Sequence, residues 1–300
     1  MNIFSILVAL LLEPYRPKRI QARVLGAFDR YAMGLDDLLN SGERHHGIAA
    51  WALAVLPVLC VAGTAYVLLG HLGMGLGWIL NVLVMLFLLE FRPILDKLSE
   101  VQHELRQEPR EVAAQRLGFA EAPAVELSQL VAYSIERSVM DIHARLFAVL
   151  FWYCLLPGPL GALLYVMARR LSQLWGADGQ TDFGRFSQEA YFWLDWIPLR
   201  LTAFAFAIVG NFEDSLFCWR TQAVGYRASL RIILASAAGA LGIRLADATA
   251  PQRVLATLEL GVGEYPDLDH LRSAEGMIWR TLVLWLLVIS LLTIAAAVGN

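Results

Sequence analysis

Long apolar stretches without a basic residue constrain this chain more than any other feature. Lys and Arg are absent from residues 45–91, 146–168 and 281–300 of the 300-residue sequence. The hydrocarbon core of a bilayer needs about 20 apolar residues in a helix, and such a segment must satisfy its own backbone hydrogen bonds. We therefore predict an all-α protein: a polytopic bundle of about four or five membrane helices with cytoplasmic helical segments, built as a single membrane domain over residues 1–300.

Composition agrees with this prediction and excludes other classes. Hydrophobic residues make up 58% of the chain and charged residues only 17%, which lies outside the usual range of soluble domains. The net charge of -3 supplies no basic field, so no nucleic-acid partner is expected. The cysteines are widely spaced in apolar surroundings without a CxxC pair, so we predict no metal site from them.

The first apolar stretch predicts a helical hairpin. Residues 49–69 and 74–91 are each about long enough to cross a bilayer, and a Gly-bounded turn joins them. Basic residues flank the hairpin at 13–47 and 92–145, which places both flanks in the cytoplasm by the positive-inside rule. The apolar residues 3–12 are too few to span, and we expect them to pack against other helices or to enter the bilayer only partway.

An amphipathic helix outside the lipid is predicted after Pro93. Ile94, Leu98, Val101 and Leu105 recur at i, i+4, i+7 and i+11, with polar residues between them. This period is that of a helix with one apolar face. The cytoplasmic helical segment at about 92–145 begins with this helix.

The apolar stretch from Leu146 to Met167 is interrupted by prolines and glycines at 157–161. Each half is too short to cross a bilayer alone. A re-entrant hairpin and a single kinked span are therefore alternatives.

Three further segments complete the predicted bundle. Residues 196–210 form a shorter apolar stretch, in which Pro198 suits the first turn of a helix capped by Asp195. Small residues between 235 and 242 predict a close helix contact. Residues 281–298 predict the last span.

Polar side chains recur at i, i+3, i+7 and i+11 ahead of the interrupted stretch. They are Ser134, Arg137, Asp141 and Arg145. On a helix they share one face. One interpretation is a ladder of ion pairs worth a few tenths of a kcal/mol each. The other is a polar site at the mouth of the membrane, where the arginines hold an anionic ligand.

Arg200 is a second candidate because it has apolar neighbours on both sides. A charge in a membrane segment is costly unless it is paired or faces a cavity. Pairing with Asp195, Glu189 or Glu213 is the structural alternative. Asn211 is a weaker ligand candidate and is more simply a helix-end residue.

Blocks of sequence in a fixed order resemble a known family. They are AVLFW at 148–152, GPLGALLY at 158–165, LDWIPLRLTA at 194–203 and AGALGIRL at 238–245. In this order they resemble the CobD/CbiB/AmpE family of bacterial inner-membrane proteins over nearly the full chain. The resemblance implies a multi-pass protein of the inner membrane, whose first partner is the lipid bilayer.

The resemblance implies two functions. CobD/CbiB members are linked to adenosylcobinamide-phosphate synthesis, in which an aminopropanol-type group is joined to a corrinoid carboxylate with a nucleotide. That branch has acidic blocks that look depleted here: residues 169–173 stand in place of an Asn-Thr-Leu-Asp-Ser block, and Tyr191-Phe192 in place of an Asp-Asp pair. Carboxylates are what Mg²⁺ binds, so their loss argues against the synthase.

AmpE-type members are accessory or signalling proteins associated with cell-wall recycling and β-lactamase regulation. We therefore expect a non-enzymatic, AmpE-like protein that binds a small anionic ligand or a membrane or cytoplasmic protein partner. The predicted ligand-binding residues are Arg137, Arg145, Arg200 and Asn211.

The alternative is an amide-forming ligase of the synthase type. Its candidate catalytic residues are Glu136, Asp141, Asp195 and Glu213. Mg²⁺ and ATP are expected only under this alternative, and no other cofactor or metal is predicted.

Overall fold

A computed structural model describes residues 3–107, 126–176, 182–223, 228–245 and 260–298. These residues are helical apart from one short strand pair and the connecting turns. The helices are α1 Ile3–Leu12, α2 Lys18–Leu39, α3 Arg44–Leu72, α4 Met74–Leu88, α5 Arg92–Gln107, α6 Leu127–Ile142, α7 Ala148–Leu155, α8 Leu160–Trp175, α9 Asp182–Val209, α10 Phe212–Gln222, α11 Ala228–Leu241 and α12 Leu268–Val298. The strands are β1 Arg244–Leu245 and β2 Leu260–Gly261.

The described residues include five helical stretches that are long and apolar enough to cross a membrane. They are Arg44–Leu72, Gly75–Gln107, Leu127–Leu155, Asp182–Val209 and Leu268–Ala296. The prediction of an all-α membrane protein is thereby confirmed. The last of these begins 13 residues before the predicted start, because its first turns pack against protein through Leu271, Ala274 and Met277.

The described helices fall into two groups, each packed within itself. The first lies within Met1–Leu89, Ala148–Ile197 and Leu292–Asn300, and the second within Glu90–Phe147 and Pro198–Leu291. The first group has a core that α2, α3, α8 and the start of α9 share. Its fully buried members include Ala50, Ala54, Leu171 and Phe183.

The predicted hairpin is present as α3 and α4, with Gly73 between them. The short α1 packs on α4 and buries Ile6 and Ala9, as expected for a segment that cannot span alone. Arg16 then donates to the carbonyl oxygens of Leu86 and Leu89, at 2.7 Å and 2.5 Å. It thereby satisfies acceptors that the end of α4 leaves without intrahelical partners.

The interruption at 157–161 separates α7 from α8, and α8 packs back against α7. The approach is close, because a Cβ on Gly161 would lie 2.0 Å from the carbonyl oxygen of Trp152. Gly158 in the turn has a positive φ of 61°, which favours glycine. This geometry is that of a hairpin, and it removes the alternative of a single kinked span.

The predicted role of Pro198 is wrong. The helix α9 is continuous across Pro198, and Asp195 lies inside the helix and caps nothing. Proline leaves the carbonyl four residues earlier without its amide donor. Here the indole N–H of Trp152 donates to that carbonyl, Leu194 O, at 3.0 Å, so the helix continues at little cost.

The small residues of α11 meet α10 closely, as predicted. A Cβ on Gly239 would lie 2.6 Å from the backbone of Asp214 and Ser215. Ser215 donates to Ser236 O at 3.0 Å. The antiparallel pair of β1 and β2 follows and was not predicted, since two-residue strands carry no readable alternation.

Replacing Gly161 with Ala tests the α7–α8 contact. We expect a loss of about 1–3 kcal/mol in the free energy of unfolding, because the new methyl group has no room beside Trp152 O. Gly276→Ala in α12 is the matched control: nothing lies within 4 Å of its added Cβ, so it should not destabilise. Unfolding in detergent, followed by circular dichroism, measures both. Equal stability of the two variants would contradict the close contact.

Asp267 caps the start of α12. Its carboxylate accepts from the backbone N–H groups of Asp269 and His270, at 3.0 Å and 3.2 Å, and lies 2.6 Å from His270 Nδ1. Slight burial acts to raise the pKa of Asp267, but these hydrogen bonds outweigh it and hold the pKa below its ordinary value.

This pKa shift predicts a pH dependence. A carboxyl with a lowered folded-state pKa stabilises the fold above its unfolded value of about 3.9, and the contribution disappears as the pH falls through the folded-state pKa. Asp267→Asn keeps a cap acceptor and removes the charge, so it should lower stability at pH 7 by less than about 1 kcal/mol. The difference from wild type should shrink on acidification below about pH 4. A difference that is constant with pH would refute this account.

Candidate functional site

A polar cavity of about 470 Å³ lies between α5 and α6 in the second helix group. Its charged lining residues are Glu90, Lys97, Arg137, Asp141 and Arg145. The apolar stripe of α5 forms one wall, through Ile94, Leu98 and Val101. Tyr133, Ser134 and Ser138 complete the polar wall on α6.

The cavity brings most of one predicted helix face together. Ser134, Arg137 and Asp141 follow one another at three- and four-residue spacing, so α6 presents them on the same side. Arg145 lies within the π turn at His143–Phe147 that follows α6. Such turns insert an extra residue into a helix and are frequent at functional sites.

Arg145 joins the two carboxylates of the cavity. It forms ion pairs with Glu90 and with Asp141, the latter at 3.5 Å from Nε to Oδ1. Arg137 pairs with the other oxygen of Asp141, Nε to Oδ2, at 3.1 Å. The backbone N–H of Glu90 also donates to Arg145 O at 3.3 Å, which fixes the break between α4 and α5 onto the π turn.

Positive charge exceeds negative charge along the cavity lining. Lys97, Arg137 and Arg145 are cations, whereas Glu90 and Asp141 are the only carboxylates among the residues that line it. Guanidinium groups bind carboxylate and phosphate oxygens in pairs. The cavity is therefore suited to an anionic ligand.

His143 is the first residue of the π turn and does not line the cavity. Its side chain is buried, and Nδ1 lies 3.0 Å from the hydroxyl oxygen of Thr202. That hydroxyl donates its one proton to Pro198 O, at 2.9 Å. The ring nitrogen is consequently the donor to Thr202.

The other predicted site residues lie elsewhere. Glu136 is buried in α6 with 2% exposure and does not line the cavity. Asp195 is buried in the first helix group, where it accepts from Tyr165 Oη at 2.7 Å. Arg200 is half-buried in α9 and does not line the cavity either.

Asn211 and Glu213 are exposed at the start of α10. Asn211 accepts from the backbone N–H of Asp214 at 3.2 Å and so caps α10. This is the helix-end role that was the simpler interpretation of Asn211. Neither residue lines the polar cavity.

Sequence reasoning missed Glu90 and Lys97. Glu90 is an acidic residue directly after the apolar run of α4, and a charge at that place is a signal for a paired or functional group. Its partner Arg145 is 55 positions away, so no local pattern connects them.

Related sequences match most of this chain. The family described as "CobD/Cbib protein" matches residues 6–278. The chain belongs to the CobD/CbiB family. A relative from Stutzerimonas stutzeri (strain A1501), named cobalamin biosynthesis protein CobD, is 32% identical over 96% of this chain and 97% of its own length. One of the same name from Chromobacterium violaceum is 27% identical over 84% of this chain and 76% of its own. No solved structure matches.

Family membership confirms the resemblance and the location: this CobD/CbiB protein is a multi-pass protein of the inner membrane. The expected AmpE-like signalling function is wrong, because the similar proteins carry a cobalamin-biosynthesis name. The error came from counting acidic residues in linear blocks. That count omitted Glu90, which forms an ion pair with Arg145, as Asp141 does.

Arg145 and Arg137 offer a matched test of the ion-pair network. Arg145→Ala leaves two partly buried carboxylates, each with 20% side-chain exposure, beside an unoccupied position. We expect it to lower the free energy of unfolding by about 2–3 kcal/mol. Arg137 has 47% side-chain exposure, so Arg137→Ala should cost less than about 1 kcal/mol. Denaturation in detergent compares them, and a larger loss for Arg137→Ala would overturn this order.

Proposed function

We propose that this CobD/CbiB protein is a membrane enzyme of cobalamin biosynthesis, of the adenosylcobinamide-phosphate synthase type. It would join an amine-bearing group to a corrinoid carboxylate, with a nucleotide as co-substrate. The observation that carries the proposal is the match to a protein named cobalamin biosynthesis protein CobD over 97% of that protein's length. The charge pattern of the cavity supplies independent support.

Amide formation from a carboxylate and an amine needs an activated acyl group. The carboxylate oxygen attacks the terminal phosphorus of the nucleotide, which forms an acyl phosphate and releases the nucleoside diphosphate. The amine nitrogen then attacks the acyl carbon, phosphate leaves, and one proton is lost from nitrogen. Negative charge is concentrated on the reacting groups in both steps, so fixed cations are the main catalytic requirement.

Residues of the cavity match these requirements. Arg137 and Lys97 are its more exposed cations, and in the proposed reaction they hold the substrate carboxylate and the phosphate oxygens. Asp141 lies between two arginines and would accept the proton that the amine loses. Arg145 positions Asp141 and Glu90.

A resident Mg²⁺ does not fit this donor set. Mg²⁺ in phosphate chemistry is usually held by one or two carboxylates together with substrate oxygens. Both carboxylates of the cavity are already paired with Arg145, and Arg137 also pairs with Asp141.

The experiment is an amide-forming assay on the purified full-length protein in detergent. Adenosylcobyrate, aminopropanol phosphate and ATP are supplied, and mass spectrometry detects the amide product. We expect product from the wild type, and a loss of about 100-fold or more in rate for Asp141→Asn. Asp96→Asn is the control, because Asp96 is exposed on α5 and does not line the cavity.

The results separate the proposal from its alternatives. An inactive wild type under conditions in which a relative is active would reject the synthase function. Full activity of Asp141→Asn would leave the function in place and remove the cavity as its site.

A further inference from the structure

The helix α2 has a face that the fold does not use. Its inner side is packed in the core of the first helix group, with Ala32 fully buried and Phe28 and Leu35 against that core. Tyr31 lies at the edge of this packed side: its hydroxyl group donates to Leu53 O of α3 at 2.8 Å, while 42% of the residue stays exposed. The other side of the helix combines apolar and basic residues.

The start of α2 lies at one end of a membrane segment. Gln21 donates to Phe87 O at 2.9 Å, and Arg16 just before the helix donates to Leu86 O and Leu89 O. These carbonyls belong to the last turn of α4. Because α4 carries the apolar part of a candidate span, this contact places the beginning of α2 at the level where the bilayer core ends.

An exposed apolar stripe runs along this part of α2. Ile20, Val24, Ala27 and Tyr31 recur at i, i+4, i+7 and i+11, and all are exposed. Val24 is 57% exposed and Ile20 46%, which is unfavourable in water and favourable at a lipid surface.

Two arginines border the stripe. Arg23 and Arg30 are exposed, lie seven residues apart on one face and form no salt bridge within the described part of the chain. The neighbouring acid, Asp29, is neutralised by Arg170, whose Nη1 lies 2.6 Å from Oδ1. Asp29 is therefore paired with Arg170 and does not neutralise Arg23 or Arg30.

An apolar groove continues the stripe into the protein. It holds about 240 Å³ between α2, α3, α4 and α8. Val24 belongs to both the stripe and the groove, and Val58, Phe87 and Val166 line the groove further in. Val24 thus links the exposed stripe to the space between the helices.

We propose that α2 is an interfacial helix that binds an anionic phospholipid. Arg23 and Arg30 contact the headgroup phosphate, and an acyl chain lies along the stripe and enters the groove at Val24. Basic residues attract anionic headgroups near a membrane surface, and an amphipathic helix buries its apolar face at the headgroup boundary. A free phosphate ion would use the arginines and leave both apolar features without an occupant.

The first test measures retained lipid. The full-length protein is purified from nanodiscs that contain equal amounts of phosphatidylcholine and phosphatidylglycerol, and native mass spectrometry counts the lipid that stays bound. We expect wild type to prefer phosphatidylglycerol, and the preference to fall roughly fivefold for each arginine removed in Arg23→Gln and Arg30→Gln.

The matched control removes the same charge elsewhere. Arg220 and Arg272 are exposed in the second helix group, and the double variant Arg220→Gln/Arg272→Gln should keep the preference. An equal fall in both double variants would reduce the effect to net charge and overturn the site. An unchanged preference in Arg23→Gln/Arg30→Gln would overturn it as well.

The second test locates the stripe and does not depend on the arginines. A fluorophore is attached to Ile20→Cys or to Asp37→Cys in a background without native cysteines. Residue 37 is exposed on another face of α2. Nanodiscs with brominated acyl chains should quench the label at residue 20 several-fold more than the label at residue 37. Equal quenching at both positions would reject an interfacial α2.

Discussion

The charge of Arg145 has to be compensated inside a helical stretch that is long and apolar enough to cross a membrane, and much of the second helix group follows from that requirement. A guanidinium in such a place is stable only beside carboxylates or water. Glu90 supplies one carboxylate from the break between α4 and α5, and Asp141 supplies the other from the preceding helical turn. The same break donates its backbone N–H to Arg145 O. The ion pairs and this hydrogen bond thus hold the two walls of the cavity together.

Irregular backbone in this protein occurs where another group satisfies it. Pro198 removes an amide donor from the middle of α9, and the indole of Trp152 replaces it at Leu194 O. The π turn after Ile142 leaves the carbonyl of Arg145 available, and this carbonyl accepts from the backbone N–H of Glu90. Helix breaks inside lipid need such compensation, since water cannot supply it. Each compensating donor lies far along the sequence from the break it serves, and each therefore also ties separate segments of the chain together.

The sequence was sufficient for what depends on local composition. Apolar length predicted the α3–α4 hairpin and the last span, and helical spacing predicted that Arg137, Asp141 and Arg145 share a face. It was insufficient where a partner is distant: Glu90 and Arg145 are 55 positions apart, and neither residue predicts the other. The same limit explains the wrong helix start at Pro198. A proline after an aspartate resembles a capped first turn locally, and only Trp152 makes the interior position acceptable.

The charge balance of the cavity bears on the acidic blocks that look depleted in this sequence. It suggests how an enzyme of the proposed type could work without them. Carboxylates in a phosphate-handling site serve to place a metal ion, whose charge then stabilises the phosphate. Here Lys97 and Arg137 already bring positive charge to the cavity, and Arg145 neutralises both carboxylates. Fixed cations that need no carboxylate ligands offer the same electrostatic stabilisation of a developing negative charge.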